Sequence, residues 1–274
     1  MTKSRPGDNT GAGDLEREVV VGMASPAAGD DQERLARHLS GWLERTVTAQ
    51  GGSGALVGVS GGVDSAVVAA LCKRAFPSQT MALIMPCESD PADTADGQLV
   101  AHHFGIASCT VDLTTTFRDF AGELHTSCAE VPTDDRATVA NVKARLRMAT
   151  LYAFANHLGY RVVGTGNASE LAVGYFTKYG DGGVDLLPLG SVAKTGVRAL
   201  ARHLGVPDRI VERTPSAGLW PGQTDEGDLG FTYDELDAYL AGARGPHADE
   251  IARLIAANAH KRESAPLAPP LEPA

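Results

Sequence analysis

The chain has 274 residues and a formal net charge of −10, a length that suits one large α/β domain with a full core. The acidic balance argues against general binding to nucleic acid or to a membrane surface, although it leaves small anionic substrates open. No apolar run reaches the roughly eighteen residues of a membrane span, and the N-terminus lacks the apolar core of a signal peptide. These features predict a cytoplasmic protein with neither nucleic-acid nor membrane partners.

The four cysteines lack the paired spacing of a zinc site or a redox motif, which predicts reduced and mostly packed thiols. They are Cys72, Cys87, Cys109 and Cys128.

The first part of the chain leads to a buried strand. Residues 1–30 are rich in Gly, Ala, Asp and Pro and are predicted to form a flexible tail. A helix is predicted over Asp31–Ala49, with its apolar residues near one face. Gly and Ser residues end that helix, and the apolar run Ala55–Val59 predicts a strand that is buried in a parallel sheet.

The turn that follows this strand is the most informative stretch of the sequence. Ser60, Gly61 and Gly62 add almost no side-chain bulk between the strand and a helix predicted over Ala66–Ala75. Backbone N–H groups in such a turn can approach an anion closely, and the helix N-terminus favours negative charge. Asp64 and Ser65 lie in the first helical turn, where a carboxylate can hold a metal ion. The turn lacks the lysine of a Walker P-loop.

The middle of the chain alternates between strands and helices. Strands are predicted at Met81–Met85, Ser108–Leu113 and Arg161–Thr165, with helices at Thr94–Phe104, from Thr114 to about Ala129, and at Ala137–Leu158. Pro86–Pro91 is predicted to be a loop at the sheet edge where open α/β folds bind ligands, and Val131–Asp135 a polar break. This order predicts a single-domain α/β fold: a doubly wound parallel sheet with flanking helices.

Arg145 and Arg147 belong to the longest of these helices. They are two residues apart, so on a regular helix they point about 200° apart and cannot serve one phosphate. They are therefore predicted to contact different partners, unless both are solvated surface residues.

The last third contains two glycine-rich segments. The loop over Gly174–Leu189 is too long for a simple connection, and Thr214–Gly230 has the composition of a mobile lid. Lys194 begins a helix to His203, and two further helices are predicted at Tyr233–Leu240 and Ala248–His260. The predicted organisation is a tail over 1–30, one domain over 31–262 and a Pro-rich tail over 263–274.

The turn resembles the Ser-Gly-Gly-x-Asp-Ser loop of the ATP pyrophosphatases, which cleave ATP between the α- and β-phosphates. Further motifs, in the same order along the chain, resemble the ammonia-dependent NAD synthetases of that group, and the match covers about Asp31 to Arg262. These motifs are Asn141-Val-Lys-Ala-Arg145, Gly164-Thr-Gly-Asn-Ala-Ser-Glu170, Phe176-Thr-Lys-Tyr-Gly-Asp-Gly-Gly183, Pro215-Ser-Ala-Gly-Leu-Trp220 and His260-Lys-Arg262.

This resemblance implies an adenine nucleotide α-hydrolase-like fold and a two-step reaction. ATP adenylates the nicotinate carboxylate of deamido-NAD and releases pyrophosphate, and ammonia then displaces AMP. The resemblance implies a Mg²⁺ site at Asp64 and Glu170. The residues implied to bind ATP are Ser60, Gly61, Gly62, Asp64, Ser65, Arg147, Thr165, Lys194 and Ser216.

The other implied roles concern the acceptor and the nitrogen donor. Asp181 matches a residue at the ammonia site, and Asp181, Lys194 and Ser216 are the candidate catalytic residues. The implied deamido-NAD contacts are Arg145, Lys178, Asp185, His260 and Lys261. The family also implies a homodimer. The stretch before Asp31 is too short for the glutaminase domain of a glutamine-dependent enzyme, so free ammonia is the expected donor.

The sequence leaves two alternative functions open. Glu88, Ala168 and Pro221 depart from the residues common in relatives, which allows a paralogue that adenylates and amidates a different carboxylate. A non-catalytic nucleotide sensor is the other alternative, which the presence of both metal carboxylates and Lys194 disfavours.

Overall fold

The computed structural model describes residues 29–128, 135–220 and 222–271. The sheet has four parallel strands, β1 (Ala55–Gly58), β2 (Thr80–Ile84), β3 (Ala107–Thr110) and β4 (Arg161–Val163). The helices are α1 (Gly29–Ala49), α2 (Val63–Ala75), α3 (Pro91–His103), α4 (Thr114–Ser127), α5 (Arg136–Leu158), α6 (Ala168–Val173), α7 (Lys194–His203), α8 (Asp208–Val211), α9 (Asp225–Leu229), α10 (Tyr233–Leu240) and α11 (Ala248–Ala257), followed by a 3₁₀ turn over Ala259–Lys261.

The strand order is β3-β2-β1-β4, so the direction of winding reverses at β1. In β1, Leu56 is paired in register with Met81 of β2 on one side and with Val162 of β4 on the other. Open α/β sheets bind ligands beyond the carboxyl ends of the strands at such a reversal. The predicted single-domain, doubly wound α/β fold is confirmed.

Side chains of β1 alternate between two apolar cores, as the period of a strand requires. Val57 packs on one face with the core-facing residues of α1, α2 and α7. Leu56 packs on the other face with Phe117 of α4 and Ala155 of α5. A third cluster, which includes Val173, Tyr233 and Ile251, joins the last helices to α6.

Several element boundaries differ from those predicted. The helix expected at Thr94 begins at Pro91, since Asp90 caps it by accepting from Ala92 N at 2.8 Å and proline is well tolerated at the first helical position. The third strand ends at Thr110. The last helix ends at Ala257, and the lid segment contains the short helix α9.

Some predictions lie outside the described residues, including nearly all of the N-terminal tail and most of the polar break over 131–135. Within the described ranges, no helix is both long enough and apolar enough to cross a bilayer. The thiols are free; Cys72 and Cys87 are buried, whereas Cys128 is exposed.

Candidate active site

Two serine hydroxyls shape the turn between β1 and α2. Ser65 Oγ donates to Gly62 O at 2.9 Å and accepts from Ser60 N at 3.2 Å. Gly61 has a φ of +86°, and a Cβ there would lie 2.7 Å from Asp96 Cβ, so this position requires glycine. The turn holds its backbone at the N-terminus of a 13-residue helix, where an anion is favoured.

A cavity of about 520 Å³ lies over this turn, beyond the carboxyl ends of β1 and β4. The predicted site residues that line it are Ser60, Gly62, Asp64, Ser65, Arg147, Thr165, Glu170, Asp181, Lys194, Ser216 and Lys261. The structure therefore brings together most of the predicted ATP and metal residues, together with the predicted ammonia-site carboxylate.

Lys194 joins the two predicted metal carboxylates. Its Nζ lies 2.6 Å from Asp64 Oδ2 and 3.0 Å from Glu170 Oε1. Burial opposes the charge on Lys194, but these two carboxylates outweigh it and raise the Lys194 pKa. Burial raises the pKa of Glu170, and the positive charge of Lys194 offsets part of that rise.

The donor set at this point fits Mg²⁺. Asp64 and Glu170 converge on one ammonium ion, and Mg²⁺ prefers one or two carboxylates together with substrate phosphates and water. A third acidic side chain, Asp225, is buried nearby with its Oδ1 unpartnered, so three carboxyl groups lie near the single lysine. Because no group of three metal-ligating side chains occurs in the described part of the chain, such an ion would need substrate oxygens.

Asp181 and Arg147 lie on another wall of the cavity. Asp181 Oδ1 accepts from Thr177 N at 2.8 Å. Asp181 is exposed to the cavity, and partial desolvation by the surrounding protein raises its pKa. Arg147 donates to Met85 O at 3.0 Å and to Ser89 Oγ at 3.1 Å.

Arg145 faces away from Arg147, as the helical geometry predicts. Its guanidinium is exposed and donates to Lys178 O at 3.3 Å. Lys178 Nζ in turn donates to His260 O. These three predicted dinucleotide residues are thus neighbours, although none of them lines the cavity.

The two remaining dinucleotide residues lie in different places. Lys261 lines the cavity, and its Nζ donates to Gly174 O at 2.7 Å and to Phe176 O at 3.0 Å. Asp185 lies apart from the cavity, where it accepts from Tyr152 Oη at 3.0 Å and Val162 N at 2.8 Å.

Ser216 lies in the segment that covers the cavity. Its Oγ accepts from Gly218 N at 3.1 Å, and every residue from Arg213 to Trp220 lines the cavity. Arg213 ties the start of the segment to α3 through ion pairs with Asp93 and Asp96. We refer to residues 213–220 as the covering segment.

Sequence reasoning missed Asn167, which orients both metal carboxylates. Its Nδ2 donates to Asp64 Oδ1 at 2.8 Å, and its backbone N donates to Glu170 Oε2 at 3.3 Å. Its Oδ1 accepts from the backbone N of Glu170 at 3.0 Å. The spacing of Asn167 and Glu170 is that of a capping box at a helix start, and this signal was available in the sequence.

Asp237 was also missed, and it lies directly behind the cluster. It accepts from Ser169 Oγ and, at 2.9 Å, from Thr195 N. Lys194 N donates to the same Ser169 Oγ at 3.0 Å. Asp237 thereby links the residues adjacent to Glu170 and Lys194, although by sequence it is an ordinary acidic residue of a helix.

The departures from the family pattern have different surroundings. Glu88 has a φ of +53° and forms ion pairs with Arg118 at 2.9 Å and Lys143 at 3.1 Å. Ala168 is buried at the start of α6. Pro221 lies outside the described residues.

The fold and the site define a nucleotide-binding α/β enzyme. Its anion-binding turn follows the strand at which the order of the sheet reverses and contains no lysine. A buried cluster of one lysine and two carboxylates lies beside the turn. A family model described as NAD synthase matches residues 35–265. The chain belongs to this family, and it is therefore a ligase that forms a carbon–nitrogen bond.

Individual relatives agree with this assignment. The chain is 46% identical over 232 residues to the NH₃-dependent NAD⁺ synthetase of Carboxydothermus hydrogenoformans, covering 84% of this chain and 95% of that one. The solved structure of NMN synthetase from Francisella tularensis is 34% identical with a TM-score of 0.82, covering 90% and 100%. NAD⁺ synthetase from Burkholderia pseudomallei is 29% identical with a TM-score of 0.72, covering 90% and 96%.

Proposed function

We propose that this chain amidates the nicotinate carboxylate of deamido-NAD with free ammonia and converts ATP to AMP and pyrophosphate. The observation that carries the proposal is the contact of Lys194 with both Asp64 and Glu170 in a cavity over an anion-binding turn. The names of the relatives, NH₃-dependent NAD⁺ synthetases, support the nitrogen donor and the product.

ATP would bind with its phosphates against the turn after β1. The backbone of Ser60, Gly61 and Gly62 and the hydroxyl of Ser65 would face the phosphates at a helix N-terminus. Ser60 N and Ser65 Oγ would exchange their bonds within the turn for bonds to phosphate oxygens. Arg147, Thr165 and Ser216 line the same cavity and would contact the phosphate chain from other sides. Arg147 already holds the turn after β2, so we assign it a part in fixing that wall as well.

The carboxylates of Asp64 and Glu170 would hold Mg²⁺ together with phosphate oxygens. The ion supplies charge stabilisation to the pyrophosphate as it leaves. Lys194 is buried between the same carboxylates, and its fixed charge limits their repulsion and favours developing negative charge nearby. Asn167 would fix the orientation of Asp64 through its amide.

The proposed reaction has two chemical steps. A carboxylate oxygen of the acceptor attacks the α-phosphorus of ATP, and the bond to the β-phosphate breaks to release pyrophosphate. Ammonia then attacks the acyl carbon, and AMP leaves with the former carboxylate oxygen. Asp181 would hold ammonium and accept a proton, because ammonium itself has no nucleophilic lone pair. Its raised pKa suits a proton acceptor.

The dinucleotide part of the acceptor would be held by Arg145, Lys178, Asp185, His260 and Lys261. Since most of these lie outside the cavity of their own chain, we propose that a second copy completes the pocket in a homodimer. The exposure of α5 supports this dimer, because most of its 23 residues are at least partly open to solvent. The buried residues of this helix are Ala140, Lys143, Ala144 and Ala155. A C₂ dimer is the commonest closed assembly.

We also propose one domain over residues 31–262 with a tail on either side. The family match over residues 35–265 supports the extent of the domain. A cytoplasmic location would give the enzyme direct access to ATP.

The test incubates the purified protein with ATP, Mg²⁺, ammonium and deamido-NAD, and measures NAD and AMP. Parallel reactions replace deamido-NAD by nicotinate mononucleotide, which carries the same carboxylate without the adenylate half, or replace ammonium by glutamine. We expect equimolar NAD and AMP in the first reaction and near-inert behaviour in the others, because missing polar contacts can cost several orders of magnitude. Faster turnover of the mononucleotide would contradict the assigned acceptor.

A further inference from the structure

Tyr233 of α10 lies beneath the lysine–carboxylate cluster. It is 1% exposed, and the Lys194 ammonium lies 4.8 Å from the centre of its ring. Its hydroxyl donates to Asp225 Oδ2 at 3.0 Å and lies 3.4 Å from Glu170 Oε1. A buried tyrosine hydroxyl needs such partners, and here they belong to two separate parts of the site.

Asp225 connects Tyr233 to the covering segment. Its backbone N–H donates to Pro215 O at 3.1 Å, adjacent to Ser216. Its side chain is 4% exposed, and Oδ1 is buried without a partner. Burial raises the Asp225 pKa, against the effects of Lys194 and of the Tyr233 and Tyr175 hydroxyls. The Tyr233 hydroxyl, which donates to Oδ2, is thus one of the groups that stabilise this carboxylate.

We propose that Tyr233 and Asp225 act as a pair of positioning residues that fixes the covering segment, and with it Ser216, relative to Lys194 and Glu170. The path runs from the cluster to the Tyr233 hydroxyl, through the Asp225 carboxylate and backbone N–H, to Pro215. Neither residue contacts the reacting atoms. The inference rests on the proposed function only for the role of Ser216.

The physical reason lies in the cost of an unsatisfied buried carboxylate. Without the Tyr233 hydroxyl, the Asp225 carboxylate would be more stable if it turned toward water in the cavity that it lines. Its backbone would follow, and the bond to Pro215 O would lengthen or break. A displacement of about 1 Å at a positioned group can lower turnover on the order of 100-fold.

The test replaces Tyr233 by phenylalanine and uses Tyr239→Phe, the same change on the same helix, as the matched control. Trp220 lies in the covering segment and is the reporter, so both variants are made in a Trp42→Phe background, which leaves one tryptophan. Two readouts are taken on the full chain: acrylamide quenching of Trp220, and kcat and KM for ATP.

We expect Tyr233→Phe to increase the quenching of Trp220 and to lower kcat/KM for ATP by about tenfold or more. Tyr239→Phe should change neither readout by more than about twofold. Equal quenching in the two variants would overturn the proposal, even if Tyr233→Phe were inactive, because the hydroxyl would then act without moving the segment.

Variants of Asp225 keep the test decisive if Tyr233→Phe fails to fold. Asp225→Asn retains an oxygen that accepts from Tyr233 and should keep Trp220 protected, whereas Asp225→Ala should expose it. Similar quenching in both would contradict the proposed path. If the parent protein forms no AMP with deamido-NAD, the proposed function fails, while the quenching results still decide the structural link.

Discussion

Lys194 Nζ lies 2.6 Å from Asp64 Oδ2, although 130 positions separate the two residues in the chain. Asp64 comes from the helix after β1 and Lys194 from the first position of α7. Both side chains are largely buried, and Glu170 completes the contact from the first turn of α6, the helix that follows β4. This one ammonium ion holds together three elements around the sheet reversal.

Replacing Lys194 by methionine should destabilise the protein. The change leaves two buried carboxylates without their cation, and breaking a buried ion pair costs about 3–5 kcal/mol. Urea unfolding in the absence of Mg²⁺ measures the loss. The control is Arg202→Met, which removes an exposed pair with Glu212 and should cost no more than about 1 kcal/mol. Equal stability of the two variants would contradict the importance assigned to the Lys194 contacts.

Asp64→Asn and Glu170→Gln should each lower turnover by more than about tenfold, because each removes an anionic ligand from the proposed Mg²⁺ site. The measurement is a titration of pyrophosphate release with Mg²⁺, which should need a higher concentration in both variants. Asp119→Asn, an exposed change on α4, serves as the control. An unchanged Mg²⁺ requirement in a folded Asp64 or Glu170 variant would remove the assignment.

Asp181→Asn should separate the two chemical steps. The amide still accepts from Thr177 N but cannot take a proton from ammonium, so adenylation should continue while amide formation slows. Exchange of labelled pyrophosphate into ATP, with deamido-NAD present, reports the first step, and NAD formation reports the second. An equal loss in both assays would refute this division of roles.

The same variant has an expected effect on stability that depends on pH. Because partial desolvation raises the folded-state pKa of Asp181, the folded state binds this proton more readily than the unfolded state does. Ionisation of Asp181 therefore costs the folded state stability. This cost is absent below the unfolded-state pKa and reaches its full size once pH has risen through the folded pKa. Asp181→Asn should melt above the parent at neutral pH, and the difference should shrink on acidification. A constant difference across that range would show that the ionisation is not responsible.

The sequence predicted the phosphate turn because it depends on a local pattern. The apolar run before Ser60 and the glycines after it define a strand, a turn and a helix in fewer than about twenty residues. Arg145 and Arg147 were separable by helical geometry alone. The match of Asp64 and Glu170 to family motifs predicted one shared site, and in the structure both carboxylates contact Lys194.

The supporting residues could not be predicted in the same way. Asp237 and Tyr233 lie on a helix whose sequence resembles an ordinary amphipathic surface helix, and their contacts depend on how that helix packs against α6 and α7. The position of Asp185 away from the cavity likewise follows from a tertiary contact with Tyr152. Such contacts leave no period or spacing in the sequence.

A homodimer should be observed in solution at working concentrations, because three of the proposed dinucleotide residues cluster outside the cavity and α5 is half-exposed. Sedimentation equilibrium gives the mass directly and can be repeated on dilution alongside the activity assay. We expect activity to fall as the dimer dissociates. A monomer with full activity would contradict the shared pocket.

The central claim is that the acceptor carboxylate is adenylated before ammonia attacks, and oxygen transfer tests it most directly. Deamido-NAD labelled with ¹⁸O in the nicotinate carboxylate is incubated with the protein, ATP, Mg²⁺ and ammonium, and the products are analysed by mass spectrometry. The account predicts that one labelled oxygen appears in AMP for each NAD formed and that pyrophosphate stays unlabelled. Label in pyrophosphate or inorganic phosphate, or unlabelled AMP beside newly formed NAD, would contradict it.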